Sequence, residues 1–190
     1  MNLRFHCSLV FLIVLLAMSA PAALSQSKSK PDFTGTWLLD QKKSNDSGLT
    51  TRPDLPIKIT HQEPELRITR SSEKDGQVVE HNFVYFTDGR GEENEATQLL
   101  TTNPSSVNAD DLKNRVTKSK TKWSGNKIVT RALLRMDVAG HFVEFEQVDE
   151  WKISDDGKVL TETSRVIFQN SDTAFIPGMT QDKKRIYNRT

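Results

Sequence analysis

Alternation of apolar and polar residues with a period of two dominates the chain from residue 57 onward. That period places every second side chain on one face of a β-strand, whereas a helix needs a period near 3.6. Short turn sequences separate the runs, among them Asp75-Gly76, Asp88-Gly89 and Asp155-Asp156-Gly157. Glycine accepts the positive φ of a tight hairpin turn, so consecutive strands are expected to pair antiparallel. No convincing helical pattern follows residue 25, and the predicted class is therefore all-β.

The predicted fold is a single antiparallel meander barrel of about 8–10 strands. Runs of roughly a dozen residues, such as His141–Ile153, are long for a sandwich and suit the tilted strands of a small barrel. Closure also removes the exposed edges that a long meander would leave. Two polar stretches, Lys42–Pro56 and Asn103–Asp111, are predicted loops. The predicted strands are Phe33–Asp40, Ile57–His61, Leu66–Arg70, Gln77–Thr87, Ala96–Thr102, Arg115–Trp123, Lys127–Asp137, His141–Ile153, Lys158–Gln169 and Lys184–Arg189.

Residues 1–25 have the three-part layout of a secretory signal peptide. A basic start at Arg4 is followed by the apolar run Leu9–Met18 and then by small residues. The apolar run is too short to span a bilayer, which needs roughly 20 residues. Cleavage after Ser25 fits the pattern, with Ala22 as the alternative. We therefore expect a secreted or periplasmic protein that is not membrane-spanning, with a flexible linker at 26–31 and the barrel at 32–190.

The only cysteine, Cys7, lies inside this signal, so the mature chain has none. That excludes disulfides, a cysteine nucleophile and thiolate metal sites, and the domain must be held together by its core. Removal of Arg4 with the signal leaves basic and acidic residues equal in number. A neutral chain has no field that attracts nucleic acid, and we expect no nucleic-acid partner. The basic residues of Arg115–Trp123 alternate with threonine and serine, as on the solvent face of a strand.

The predicted inner faces of the strands mix apolar and polar residues. On His141–Ile153 the face opposite the charged one carries Gln147 and Asp149 between aromatic residues, and His81 has a similar setting on Gln77–Thr87. Burying such groups without partners costs about 1–3 kcal/mol each. They therefore line a cavity, lie near a wet barrel mouth, or pair with one another. The residues predicted to line a ligand cavity are Val79, His81, Phe83, Tyr85, Phe145, Gln147, Asp149 and Trp151.

The segment Asp32–Leu39 contains Gly35-x-Trp37 and is followed by Lys43-Ser44. It resembles the opening strand of lipocalins and fatty-acid-binding proteins, and in particular that of exported bacterial lipocalin-like (calycin-type) proteins of uncharacterised function. The Asp155–Thr161 hairpin and the closing Ile186–Arg189 are similar to segments of those bacterial proteins.

The resemblance implies that Gly35 and Trp37 close one end of the barrel, where an arginine from a late strand packs over the indole ring. Arg189 or Arg185 would supply that arginine, and Arg165 is a further alternative. Lys42–Pro56 departs from the fatty-acid-binding proteins, because Pro53 and Pro56 prevent the helical pair that they carry there.

No motif in the chain indicates catalysis or metal binding. The histidines of the mature chain, His61, His81 and His141, are on different predicted strands, and no nucleophile elbow or phosphate-binding glycine loop is present. Acidic residues at alternating strand positions, such as Glu146 and Glu162, are usually solvated. We therefore predict no catalytic residue, no metal site and no cofactor.

The favoured hypothesis is a secreted, non-enzymatic and monomeric binding protein. It holds a small hydrophobic or amphipathic, largely apolar molecule in the barrel interior. The alternative is an extracytoplasmic protein–protein interaction module with a filled barrel and binding loops at Lys42–Pro56 and Asp88–Asp111. A third hypothesis is a hydrolase or isomerase that uses His81 with Asp149.

Overall fold

Ten antiparallel strands in one sheet make up the fold in a computed structural model of the chain. The structure describes residues 29–45, 55–74, 76–95, 116–138, 141–169 and 182–190. Within these ranges it contains no helix, and the all-β, antiparallel prediction is confirmed. The strands are β1 (Gly35–Leu39), β2 (Ile57–Gln62), β3 (Glu65–Lys74), β4 (Gln77–Phe86), β5 (Glu92–Glu95), β6 (Val116–Ser124), β7 (Lys127–Val138), β8 (His141–Ile153), β9 (Val159–Phe168) and β10 (Lys183–Arg189).

The sheet is a meander that is nearly closed into a barrel. Its strand order is β4-β3-β2-β1-β10-β9-β8-β7-β6-β5, so the first and last strands pair and the ends of the sheet are β4 and β5. Side chains join these two edges: Asn94 donates from Nδ2 to the Val84 carbonyl (2.9 Å) and accepts from the Val84 N–H at Oδ1 (2.8 Å). Because an amide side chain can both donate and accept, it replaces the missing pair of main-chain hydrogen bonds.

Glu92 strengthens the same seam from inside the barrel. This buried side chain accepts hydrogen bonds from the hydroxyls of Ser119 and Thr121, both at 2.7 Å, and from the Phe86 N–H at 3.3 Å. The inward positions of β5 are therefore Glu92 and Asn94, which are polar. A strand of this kind is not predicted from the sequence, because its inward-facing positions carry no apolar residues that would alternate with the polar ones. The predicted strand Ala96–Thr102 lies outside the described residues.

The strand directions place the connections alternately at the two ends of the barrel. The turns between β2 and β3, β4 and β5, β6 and β7, and β8 and β9 lie at one end, together with Phe33 and Trp37. We call this the Trp37 end. Residues 46–54, 96–115 and 170–181 lie outside the described residues, and the strand ends that these segments would join lie at the opposite end of the barrel.

The apolar core lies between the Trp37 end and the middle of the barrel. It is built from inward-facing residues of β1–β4 and β7–β10. Cross-strand pairs such as Ile59 with Ile68 and Ile68 with Phe83 continue it around the sheet. In the part of the chain that is described, no helix is long and apolar enough to cross a membrane. The buried members of the core are Phe33, Trp37, Ile57, Ile59, Leu66, Ile68, Phe83, Ile128, Trp151, Ile153, Leu160 and Tyr187.

Candidate functional site

The Trp37 end is filled by aromatic rings. Phe33 and Trp37 are fully buried, and Trp37 Nε1 donates a hydrogen bond to the Phe33 carbonyl at 3.2 Å. The rings of His61 and Trp123 each lie about 6 Å from that of Phe33, centroid to centroid. This end of the barrel is therefore closed by packing.

The three residues expected to close the barrel come together at this end. The Arg189 guanidinium lies 4.4 Å from the centroid of the Trp37 ring. Gly35 has φ 154°, and a Cβ added there would lie 3.4 Å from both Arg189 Nη1 and Trp37 Nε1. A glycine at this position lets the arginine and the indole approach each other. Arg185, the other residue proposed for this contact, lies elsewhere and pairs with Glu162.

A cluster of charged groups occupies the middle of the barrel, above the apolar core. Arg70 Nη2 of β3 donates to Glu162 Oε1 of β9 at 2.7 Å, which joins strands on different sides of the interior. On the other carboxylate oxygen, Glu162 Oε2 accepts from the Tyr187 hydroxyl (2.8 Å) and lies 3.4 Å from Arg185 Nη1. We call these four residues the Glu162 cluster. Arg70 also lies 5.3 Å from the ring centroid of Trp151.

Burial and pairing set the ionisation of this cluster. Burial alone would raise the pKa of Glu162, but the positive charges of Arg70 and Arg185 outweigh it and the net pKa is lowered. Burial together with the Glu162 charge raises the pKa of the Tyr187 hydroxyl. Glu162 is therefore ionised and Tyr187 neutral at physiological pH. The expectation that Glu162 is solvated is wrong, since its side chain is only 5% exposed.

Asp149 forms a second polar group next to this cluster, on β8. Its carboxylate accepts from Gln147 Nε2 at 3.0 and 3.2 Å and from the hydroxyl of Ser164, its cross-strand neighbour. Burial and the nearby charge of Glu162 raise the pKa of Asp149 to about 6. The two carboxyl groups are therefore perturbed in opposite directions inside one barrel.

The eight residues predicted to line a cavity divide into four groups. Phe83 and Trp151 are buried in the core, and His81 stacks on Phe83 with ring centroids 6.5 Å apart. Phe145 is buried farther along β8, 6.0 Å from the Phe168 ring. Val79 is 37% exposed, near the start of β4, and does not join the others. The remaining three, Tyr85, Gln147 and Asp149, lie near the Glu162 cluster.

Several inward-facing side chains of the middle region keep part of their surface exposed. The side chain of Arg70 is 22% exposed although it reaches across the interior to Glu162. Tyr85, Gln147 and Asp149 are likewise only partly buried, although they lie on the same strand faces as the buried Phe83 and Trp151. These side chains therefore keep solvent-accessible surface although they face the interior of the barrel.

The residues of the Glu162 cluster were not predicted as a site. Arg70 follows Leu66 and Ile68 with a period of two, and Glu162 follows Leu160 in the same way, so both are in phase with buried neighbours. This position on the same strand face as buried apolar residues is the sequence signal that could have indicated that Arg70 and Glu162 point into the barrel. The pairing itself joins residues 92 positions apart, and no local pattern indicates it.

A separate groove of about 810 Å³ lies on the outer surface over β6–β9. Exposed lysines of β6 border it, as expected for the solvent face of that strand, and Leu133 is exposed beside them. It lies on the opposite face of the sheet from the Glu162 cluster. Residues lining the groove include Lys118, Lys120, Val129, Leu133, Glu146 and Arg165.

Fold and interior together define a class: a ten-stranded antiparallel barrel with an aromatic closed end and a charged, partly solvated middle. No known protein family matches the sequence, and no curated protein is significantly similar to it. Among the described residues, no three histidine, cysteine, aspartate or glutamate side chains are grouped so that they could hold a metal ion.

Proposed function

We propose that the protein is a secreted, non-enzymatic binding protein that holds a small amphipathic molecule in the barrel interior. The observation that supports this proposal is the partial exposure of Arg70, Gln147 and Asp149 inside the barrel. Polar groups of a filled core would be expected to be fully enclosed, because close packing leaves few voids. Polar side chains that solvent reaches beside apolar walls are typical of a ligand pocket.

The walls around these groups fit a molecule with an apolar body. Phe145 and Phe168 lie on the same face as Asp149 toward the opposite end, and Trp151 lies toward the Trp37 end. Val166, the cross-strand neighbour of Gln147, adds a partly exposed aliphatic side chain. A polar group of the ligand would contact Asp149 and Gln147, while its apolar part would contact these rings.

We also propose kinship with exported lipocalin-like proteins. The contact of Arg189 with Trp37 beside Gly35 supports it, as does the meander order with its β1–β10 pair.

The proposal of a secreted protein rests on the predicted export signal at residues 1–25. Mass spectrometry of the exported protein should give a chain that begins at Gln26, and retention of residues 1–25 would contradict the proposal.

Adjacent residues on opposite faces of β9 give a sharp test of interior binding. Val166 faces inward beside Gln147, whereas Ile167 faces outward and is 40% exposed. Native mass spectrometry of the protein from its own source would identify a ligand that copurifies. We expect Val166→Trp to weaken binding of that ligand at least tenfold and Ile167→Trp to leave it unchanged. Equal affinities in both variants would place the ligand outside the barrel and overturn the proposal.

The two other hypotheses stay predictions. The interaction module depends on loops Lys42–Pro56 and Asp88–Asp111, much of which lies outside the described residues. The enzyme hypothesis depends on His81, and an activity that is unchanged in His81→Ala would contradict it.

A further inference from the structure

The acidic residues inside the barrel differ in what neutralises them. Glu162 contacts two arginines and a tyrosine hydroxyl. Glu92 is buried at the seam, where two hydroxyls and a backbone N–H hold it. Asp149 accepts hydrogen bonds only from a neutral amide and a neutral hydroxyl, and it remains partly exposed to the interior.

No basic side chain of the described part lies within ion-pair distance of Asp149. The positive charge of Arg70 lowers the pKa of Asp149, but the guanidinium of Arg70 is hydrogen-bonded to Glu162. Thr130 is the cross-strand neighbour on β7 and Ser164 the one on β9, and neither carries a charge. The charge of Asp149 is therefore unmatched in a region where electrostatic interactions are stronger than in water.

The negative charge of Asp149, which has no ion-pair partner, determines which polar group of a ligand would bind there most favourably. An ammonium group at Asp149 would form a charge-assisted hydrogen bond with the free lone pairs of the carboxylate. A carboxylate ligand at the same place would meet the negative charges of both Asp149 and Glu162, and Arg70 and Arg185 each already form an ion pair with Glu162. An alcohol could donate a hydrogen bond to the carboxylate but would bring no positive charge to balance it.

We propose that the interior selects amphipathic molecules with a primary ammonium group, which binds to Asp149 and Gln147. This inference rests on the proposed function. Phe145 lies four residues from Asp149 on the same strand face, which corresponds to about 13 Å. An unbranched apolar chain of roughly ten carbons spans that distance, so the aromatic pair Phe145–Phe168 would contact its far end.

Three probes of equal chain length test the selectivity: decylamine, decanol and decanoate, titrated into the mature protein by calorimetry at pH 7.5. We expect decylamine to bind at least tenfold more tightly than decanol, and decanoate to bind most weakly. In Asp149→Asn the preference for decylamine over decanol should fall below twofold, because the amide carries no charge to attract the ammonium group. Circular dichroism would establish that this variant is folded.

Glu150→Gln is the matched control, because it removes the same charge from the next residue on the same strand. Glu150 faces outward and pairs with Lys127 and Arg165, so the selectivity should persist in this variant. Equal binding of all three probes, or a preference for decanoate, would overturn the inference and leave the proposed function standing. Failure of all three to bind would overturn both.

Discussion

The Trp37 end and the Glu162 cluster fill two parts of the barrel with opposite kinds of side chain, apolar in one and charged in the other. The Trp37 end excludes water with aromatic rings, and the cation that packs on Trp37, Arg189, is exposed to solvent. The Glu162 cluster brings two arginines, a glutamate and a tyrosine into the interior. Burying paired charges contributes little net stability, because desolvation offsets most of their attraction. The comparison indicates that the apolar end contributes more to stability than the charged middle, to which we have assigned the proposed binding role.

The largest effect is expected from removing the ring at the centre of the closed end. Trp37→Ala leaves a cavity, breaks the hydrogen bond to Phe33 and removes the surface under Arg189. Truncations of buried tryptophan cost about 3–5 kcal/mol. Urea unfolding measures this loss, and Leu133→Ala is the control, since Leu133 is 52% exposed and its loss should change stability by less than about 0.5 kcal/mol. A small loss of unfolding free energy in Trp37→Ala would contradict the conclusion that the apolar end contributes more to stability than the charged middle.

Glu162→Gln is expected to cost about 3 kcal/mol, because it leaves the buried guanidinium of Arg185 and the partly buried one of Arg70 without their counter-charge. The lowered pKa of Glu162 gives this loss a pH dependence. The ionised carboxylate stabilises the fold above its ordinary pKa of 4.5, and this stabilisation disappears as the pH falls through the lowered folded value. Unfolding measured from pH 7 downward should therefore show the variant and the parent converging at low pH. A constant difference would contradict the pairing.

Asp149→Asn is expected to have the opposite sign. Because the pKa of Asp149 is raised to about 6 from an ordinary 3.8, its ionisation above pH 6 destabilises the folded protein. The neutral variant should be more stable than the parent by on the order of 2 kcal/mol at pH 7. The gain should shrink between pH 6 and 4, where the parent carboxyl becomes protonated in the folded state. Thermal unfolding at several pH values measures it, and a loss of stability at pH 7 would contradict the assignment.

The alternation of apolar and polar residues and the turn sequences were enough to predict the fold. They predicted the candidate site only in part. The period of two in β8 indicated that Gln147 and Asp149 share a face with Trp151, and they do. β5 escaped prediction because Glu92 and Asn94 hold the seam with polar side chains, which carry no apolar signal. The Glu162 cluster depends on which strands face each other across the interior, and that relation is set by barrel closure and not by local sequence.

The smallest expected effect concerns the cation that covers the closed end. Arg189→Met keeps an unbranched apolar stem over the Trp37 ring and removes only the guanidinium, which lies 4.4 Å from the ring centroid. A cation over an exposed aromatic surface contributes about 0.5–1 kcal/mol, so the loss measured in urea should be of that size. Ligand affinity should stay unchanged, because Arg189 lies beneath the apolar core and the proposed binding groups lie above it. A change in affinity would show that the two regions are coupled, and the division of the barrel into a stabilising end and a binding middle would then fail.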